Sequence, residues 1–160
     1  MVGLVLSETD VWKVLQQIND PEIPVLSIVD LKIVSSVEAH GDEVTVDITP
    51  TFVGCPALDT IAELIQEKLL ANGFKAVHVK KNHGVPWSTD MLDETVRKKL
   101  ERFGIAPPSR SGEVIIALPT LCPYCKSAST QLENPFGATL CKQLYYCNSC
   151  RQSFEKFKAL

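Results

Sequence analysis

The chain has 160 residues, 45% of them hydrophobic and 22% charged, with a net charge of −3. That length admits one ordinary domain, or a domain of about 110 residues with a small satellite, and the composition excludes a disordered or fibrous chain. No apolar run approaches the roughly 20 residues of a membrane helix, and "MVGLVLSETD" has neither a basic leader nor a cleavage-like site, so a cytoplasmic location is expected.

The first element expected is a helix in "SETDVWKVLQQIND". Ser7 and Asp10 have the spacing of a capping box, and Val11, Val14, Leu15 and Ile18 recur at helical intervals. Asn19-Asp20-Pro21 should end it, because the residue before a proline resists the α region. "DPEIPVLSIVD" reads as an irregular turn, since two prolines within four residues exclude regular pairing. "LKIVSSVEA" and "EVTVDIT" follow as strands joined by "HGD", a Gly-containing hairpin link. In the second strand Val44, Val46 and Ile48 alternate with Thr45, Asp47 and Thr49, so it should bury one face.

"PALDTIAELIQEKLLANG" carries the clearest helical stripe: Leu58, Ile61, Ala62, Ile65 and Leu69. Pro56 suits its first position and Gly73 the position past its end. "KAVHVK" is expected to be a third strand and "MLDETVRKKLERFG" a third helix closed by Gly104. "IAPPSRSGE" reads as a linker, and the domain boundary is placed near residues 106–112. Residues 1–108 then form the first domain and 109–160 a linker with a small second domain. The expected class is α+β, three helices and a three-stranded sheet followed by a β-rich tail.

Five of the six cysteines lie in that tail. Cys122-Pro-Tyr-Cys125 and Cys147-Asn-Ser-Cys150 are two CxxC pairs, and in a reducing compartment such cysteines serve as thiols or metal ligands. The spacing lets each tight turn present two sulfurs to one tetrahedral ion, so two turns make a closed Cys₄ site. A segment of about 40 residues cannot bury enough apolar surface to fold alone, and a structural zinc would supply much of its folding free energy. A rubredoxin-like iron, a cluster and a redox dithiol are the alternatives. Cys141 reads as a small buried apolar residue, with a spare thiol that passes metal on as the sharper alternative. Tyr145, Tyr146, Phe154 and Phe157 read as the packing of a tiny domain, with base stacking as the alternative.

The sixth cysteine, Cys55, sits between Gly54 and Pro56 at the start of the strongest helix. There the helix dipole and free N–H groups should favour its thiolate, and thiolates suit iron and clusters. A buried inert cysteine is the plain alternative. A nucleophilic role would need His40, His78 or His83 nearby, and nothing in the sequence brings one there. Asp20, Glu22 and Asp30 form a small acidic set around the proline turn. Charge is uneven along the chain. Residues 1–119 carry 11 Lys and Arg against 17 Asp and Glu, a net of −6, whereas residues 120–160 carry 5 against 2, a net of +3. The acidic first part disfavours nucleic acid as a partner.

Together, "DPEIPVLSIVDLKIV", "TPTFVGCPALDTI", "VPWSTDML", "FGIAPP" and "FGATLCKQLYYCNSCRQSFEKFK" resemble the PaaD family of phenylacetate-degradation proteins over nearly the whole chain. The resemblance implies a SufT-type iron–sulfur assembly domain followed by a zinc ribbon. It implies an accessory or maturation factor, not an independent enzyme, for the multicomponent oxygenase that epoxidises phenylacetyl-CoA. Oxygenase subunits or other iron–sulfur clients would be its partners, and no membrane would be involved. A structural or regulatory subunit of that oxygenase and a nucleic-acid-binding ribbon protein are the alternatives. The resemblance implies Cys55 as the thiol that transiently holds iron or a cluster, with Asp20 and Glu22 in the signature turn. It also implies structural Zn²⁺ at Cys122, Cys125, Cys147 and Cys150. Lys32 stands where many relatives have Gly in "DLG", and Lys126 and Arg151 follow the CxxC pairs where Gly is frequent in zinc knuckles.

Overall fold

The computed structural model of the chain describes residues 6–52, 54–110 and 119–160. The opening "MVGLV" and the Ser111–Glu113 end of the expected linker lie outside the described residues. The fold is α+β and divides into two compact units, residues 1–87 and 88–160.

The first unit opens with α1, Glu8–Leu15. Its capping box forms as expected: Asp10 N donates to Ser7 Oγ at 3.3 Å, and Ser7 N donates back to Asp10 Oδ2 at 3.1 Å. The Ser7 hydroxyl and its N–H, with Lys13, hold the exposed Asp10 carboxyl down at about 2. The helix stops at Leu15, five residues before the proline turn, and a short turn then keeps Ile18 buried. β1 (Val34–His40) and β2 (Glu43–Ile48) pair antiparallel through a turn whose Gly41 has φ 62°. Alternation in β2 holds for Val44, Val46 and Ile48, which are fully buried, with Thr45 and Asp47 partly exposed; Thr49, expected on the exposed face, lies past the strand end and is buried.

α2 (Ala57–Ala71) then crosses to β3 (Ala76–Lys81), which pairs parallel to β2, so the sheet order is β1-β2-β3. Ile61, Ile65 and Leu69 of α2 join Val11 and Leu15 of α1 and the β2 residues in the core. Pro56 occupies the cap, one position earlier than expected, and Gly73 at φ 106° follows the helix end.

The second compact unit begins at Ser88, ahead of the third helix. After a 3₁₀ turn at Thr89–Met91, α3 (Glu94–Arg102) is capped by the Asp93 side chain, which accepts from Val96 N at 3.0 Å. Ile105–Ala106, read from the sequence as linker, is a short strand, β4. It pairs parallel to β7 (Ser153–Phe157), the last strand of the tail. β5 (Thr130–Asn134) and β6 (Lys142–Cys147) complete a sheet ordered β4-β7-β6-β5. By compactness, therefore, α3 and β4 go with the tail. The first compact unit thus holds two of the three helices.

Arg97 of α3 is buried and reaches three carbonyls, those of Leu92, Thr89 and Pro108. Gly104, at φ 87°, ends α3 where a Cβ would lie 2.8 Å from the Tyr124 hydroxyl oxygen. Among the described residues no helix is long and apolar enough to cross a membrane.

Three residues other than glycine adopt the left-handed backbone: Lys32 (φ 57°), Lys126 (φ 63°) and Arg151 (φ 59°). These are the three positions at which the family resemblance leads one to expect glycine. A β-carbon in this region costs on the order of 1 kcal/mol, partly offset by the extra entropy glycine has when unfolded. Lys32→Gly and Arg151→Gly are each expected to raise stability by about 0.5–1 kcal/mol, read as a shift in the thermal midpoint. An unchanged or lowered midpoint for both would contradict the strain.

Candidate functional sites

In the tail, the two CxxC turns are built alike. Lys126 N donates to Cys122 O and Arg151 N to Cys147 O, both at 2.9 Å; Cys122 N donates to Ser127 O at 3.0 Å and Cys147 N to Gln152 O at 2.9 Å. The turns face each other. Cys122 Sγ lies 3.7 Å from Cys150 Sγ, Cys125 Sγ lies 3.6 Å from Cys147 Sγ, and all four sulfurs fall within 4.8 Å of one another. Four sulfurs on a tetrahedral zinc at about 2.3 Å would be about 3.8 Å apart, so the quartet fits such an ion.

The thiols are unequal. The Cys150 and Ser149 backbone N–H groups help hold Cys147 down at about 7. Burial and the three neighbouring thiols push Cys150 up to about 12. All four thiols this close ionise together only with a cation between them, and with all four as ligands no coordination position stays open for catalysis. This is a structural metal site. Cys141, buried just ahead of β6, stands outside the quartet with its Sγ 3.1 Å from Thr139 Oγ1. The aromatics pack: Phe154 and Phe157 are buried, and Tyr145 stacks on Phe154 with ring centres 5.7 Å apart.

The first knuckle is also tied to α3. Lys126 Nζ reaches Glu101 Oε1 at 2.5 Å and the Pro123 carbonyl at 3.1 Å, and Tyr124 lies against Gly104.

In the first unit, Cys55 is half-buried ahead of α2; its N–H donates to Phe52 O at 3.3 Å, and its carbonyl accepts from Leu58 N at 3.4 Å. Burial pushes the Cys55 thiol up. The Ala57 N–H and the Thr51 hydroxyl pull the other way, while the Glu22 and Asp20 carboxylates add to the rise. The expected ionised thiol is therefore corrected: the helix terminus does act on the sulfur, but desolvation and two carboxylates outweigh it. The same finding brings Asp20, Glu22 and Cys55 into electrostatic range of one another.

They do not form a closed cluster. Among the described residues, only the tail quartet brings three or more such ligand atoms within 4.8 Å. Asp20 Oδ1 accepts from Glu22 N and Ile23 N, both at 2.8 Å, so this buried carboxylate shapes the proline turn. Asp30 accepts from Ser27 N at 3.2 Å and from Gln16 Nε2 at 3.2 Å. His40, His78 and His83 are all exposed, and His78 Nε2 pairs with Glu43 Oε1 at 2.8 Å; none of the three is among the groups acting on the Cys55 thiol.

Sequence reasoning missed two threonines. Thr51 Oγ1 lies 4.0 Å from Cys55 Sγ. Thr49, buried just past the end of β2, has a hydroxyl with no hydrogen-bond partner among the described residues. Both fall within "TPTFVGCP", where hydroxyls so near an apolar strand end were the available signal.

Each of the two parts matches a known family. Residues 8–80 match the iron–sulfur cluster assembly protein family, and residues 111–158 match the PaaD zinc beta ribbon domain. A putative 1,2-phenylacetyl-CoA epoxidase subunit of Escherichia coli (strain K12) is 40% identical over 94% of this chain and 92% of its own length. A "Fe-S protein maturation auxiliary factor" of Porphyromonas gingivalis is 34% identical over 59% of this chain and 90% of its own. Among solved structures, a DUF59 domain from Bacillus anthracis is 25% identical with a TM-score of 0.54, covering 58% of this chain and 90% of that one. A conserved hypothetical protein from Thermotoga maritima is 25% identical with a TM-score of 0.51, covering 59% and 94%.

Proposed function

Because the chain belongs to the PaaD family, an iron–sulfur assembly domain joined to a zinc ribbon, we propose that it is a non-catalytic cytoplasmic factor that helps load iron or an iron–sulfur cluster into the subunits of a phenylacetyl-CoA epoxidase. Iron or the cluster is cargo. Cys55 takes it, within the field of Asp20 and Glu22, and zinc held by Cys122, Cys125, Cys147 and Cys150 fixes the ribbon.

The observation that carries this reading is Cys55, half-buried at the start of α2 and within the field of two carboxylates. A thiol kept protonated chiefly by burial, with the Glu22 and Asp20 carboxylates adding to the rise, binds a cation with release of its proton, and the arriving positive charge stabilises the thiolate that burial alone disfavours. The site is thus poised to fill and to empty, where the four-thiol site of the tail is built to stay filled.

The test is to co-produce the epoxidase subunits with the wild-type chain or with Cys55→Ser and measure client iron. Client iron is expected to fall severalfold with Cys55→Ser while the variant still co-purifies. Normal client iron and activity would overturn the proposal. The relative's name as an epoxidase subunit favours a second reading, a structural or regulatory component of the oxygenase. Under that reading Cys55→Ser leaves client iron unchanged, and deleting the chain disrupts the complex.

A further inference from the structure

The loop between β5 and β6, residues 135–141, is bonded down at nearly every step. Phe136 N donates to Asn134 Oδ1 at 3.0 Å, Gly137 N to Lys142 O at 2.7 Å, Ala138 N to Glu155 Oε1 at 2.8 Å, and Lys142 N to Thr139 O at 3.2 Å. The other Glu155 oxygen takes the buried Lys142 ammonium at 2.9 Å. Gly137 fits closely there: a Cβ would lie 2.8 Å from Glu155 Oε1 and 3.2 Å from the Lys142 carbonyl carbon, so a larger residue must push the carboxylate or the loop aside. Yet the loop so fixed leaves its two large apolar side chains in water, Phe136 at 58% and Leu140 at 57% exposure.

Neither metal binding nor packing explains that combination. A rigid tip carrying a solvated Phe and Leu loses little conformational freedom on binding and recovers the hydration of both side chains. Charge indicates what would receive it. Lys158 Nζ lies 4.5 Å from the centre of the Phe136 ring. Lys142 neutralises Glu155 locally, and residues 120–160 carry 5 Lys and Arg against 2 Asp and Glu.

We propose that the 135–141 loop is the element by which the protein docks on its client, with Phe136 and Leu140 entering an apolar pocket rimmed by carboxylates on that protein. The identity of the partner rests on the maturation reading above; the geometry of the loop does not. Lys158 would steer the encounter while the two apolar side chains hold it.

The experiment uses the full-length, metal-loaded chain, with purified epoxidase subunits as the probe. Phe136→Ala and Leu140→Ala are each expected to weaken binding about 30-fold while metal content and thermal midpoint stay unchanged, since both side chains are already exposed. Gly137→Ala keeps both side chains but displaces the loop, and should weaken binding as well. Lys158→Glu should slow association, most at low salt. Leu70→Ala, on the exposed face of α2, is the neutral control.

Binding by Phe136→Ala and Leu140→Ala within about threefold of wild type would overturn the proposal. So would loop-dependent binding to anionic vesicles or single-stranded DNA with none to the subunits. If the loop variants bind normally while Cys55→Ser still lowers client iron, the loop is discarded and the maturation reading stands. If the wild-type chain neither binds the subunits nor affects their iron, both are discarded.

Discussion

Stripping the metal with a chelator is expected to unfold the second unit, residues 88–160, and leave the first unit folded. Beside the knuckles lies a small apolar cluster whose buried members are Ala106, Cys122, Cys147 and Phe154, two of them ligands. Without an ion, four thiols within 4.8 Å of one another have nothing to hold them together. A structural zinc contributes on the order of 10 kcal/mol to a domain of this kind, more than so small a cluster can replace. The loss should extend beyond the knuckles. Lys126 holds Glu101, Tyr124 lies against Gly104, and β4 pairs with β7, so α3 should disorder with the ribbon. Two-dimensional amide NMR would read this as collapse of signals from residues 88–160 with preserved dispersion for the first unit. Retained α3 and ribbon signals in metal-free protein would contradict it. Cys122→Ala should reproduce the collapse without chelator.

The next largest effect is expected from Arg97→Ala. This guanidinium is buried and joins the 3₁₀ turn, α3 and the chain after β4 through the Thr89, Leu92 and Pro108 carbonyls, in one unit. Truncation removes three charge-assisted bonds, strands acceptors in a buried setting and opens a cavity. Together these cost about 2–4 kcal/mol. Arg97→Lys should recover only part of this, because an ammonium cannot span three acceptors in the guanidinium plane. In denaturant titration the transition of the second unit should move to lower concentration and that of the first should stay. Coincident shifts of both transitions, or no shift, would contradict this role for Arg97.

How much of this was legible follows from the range of each signal. The α1 cap was readable because Ser7 and Asp10 are three residues apart and both bonds are local. The Cys₄ site was readable because each CxxC turn imposes its own geometry. β4 was not, since two residues carry no period and Ile105–Ala106 is a strand only because β7 lies beside it. For the same reason linker composition put α3 in the first domain. The thiolate expected at Cys55 followed from the helix terminus alone; the burial and the Asp20 and Glu22 fields that reverse it are tertiary. The family resemblance led one to expect glycine at Lys32, Lys126 and Arg151, while their left-handed backbone shows only in the folded chain.

The proposed function leans on one step, the hand-over of cargo from Cys55. The direct measurement mixes anaerobic, iron-loaded chain with an iron-free epoxidase subunit and follows iron appearing in that subunit. Transfer faster than from free iron with the wild-type chain, and no acceleration with Cys55→Ser whose ribbon metal is intact, is the predicted result. Equal acceleration by both proteins would show that the sulfur carries nothing.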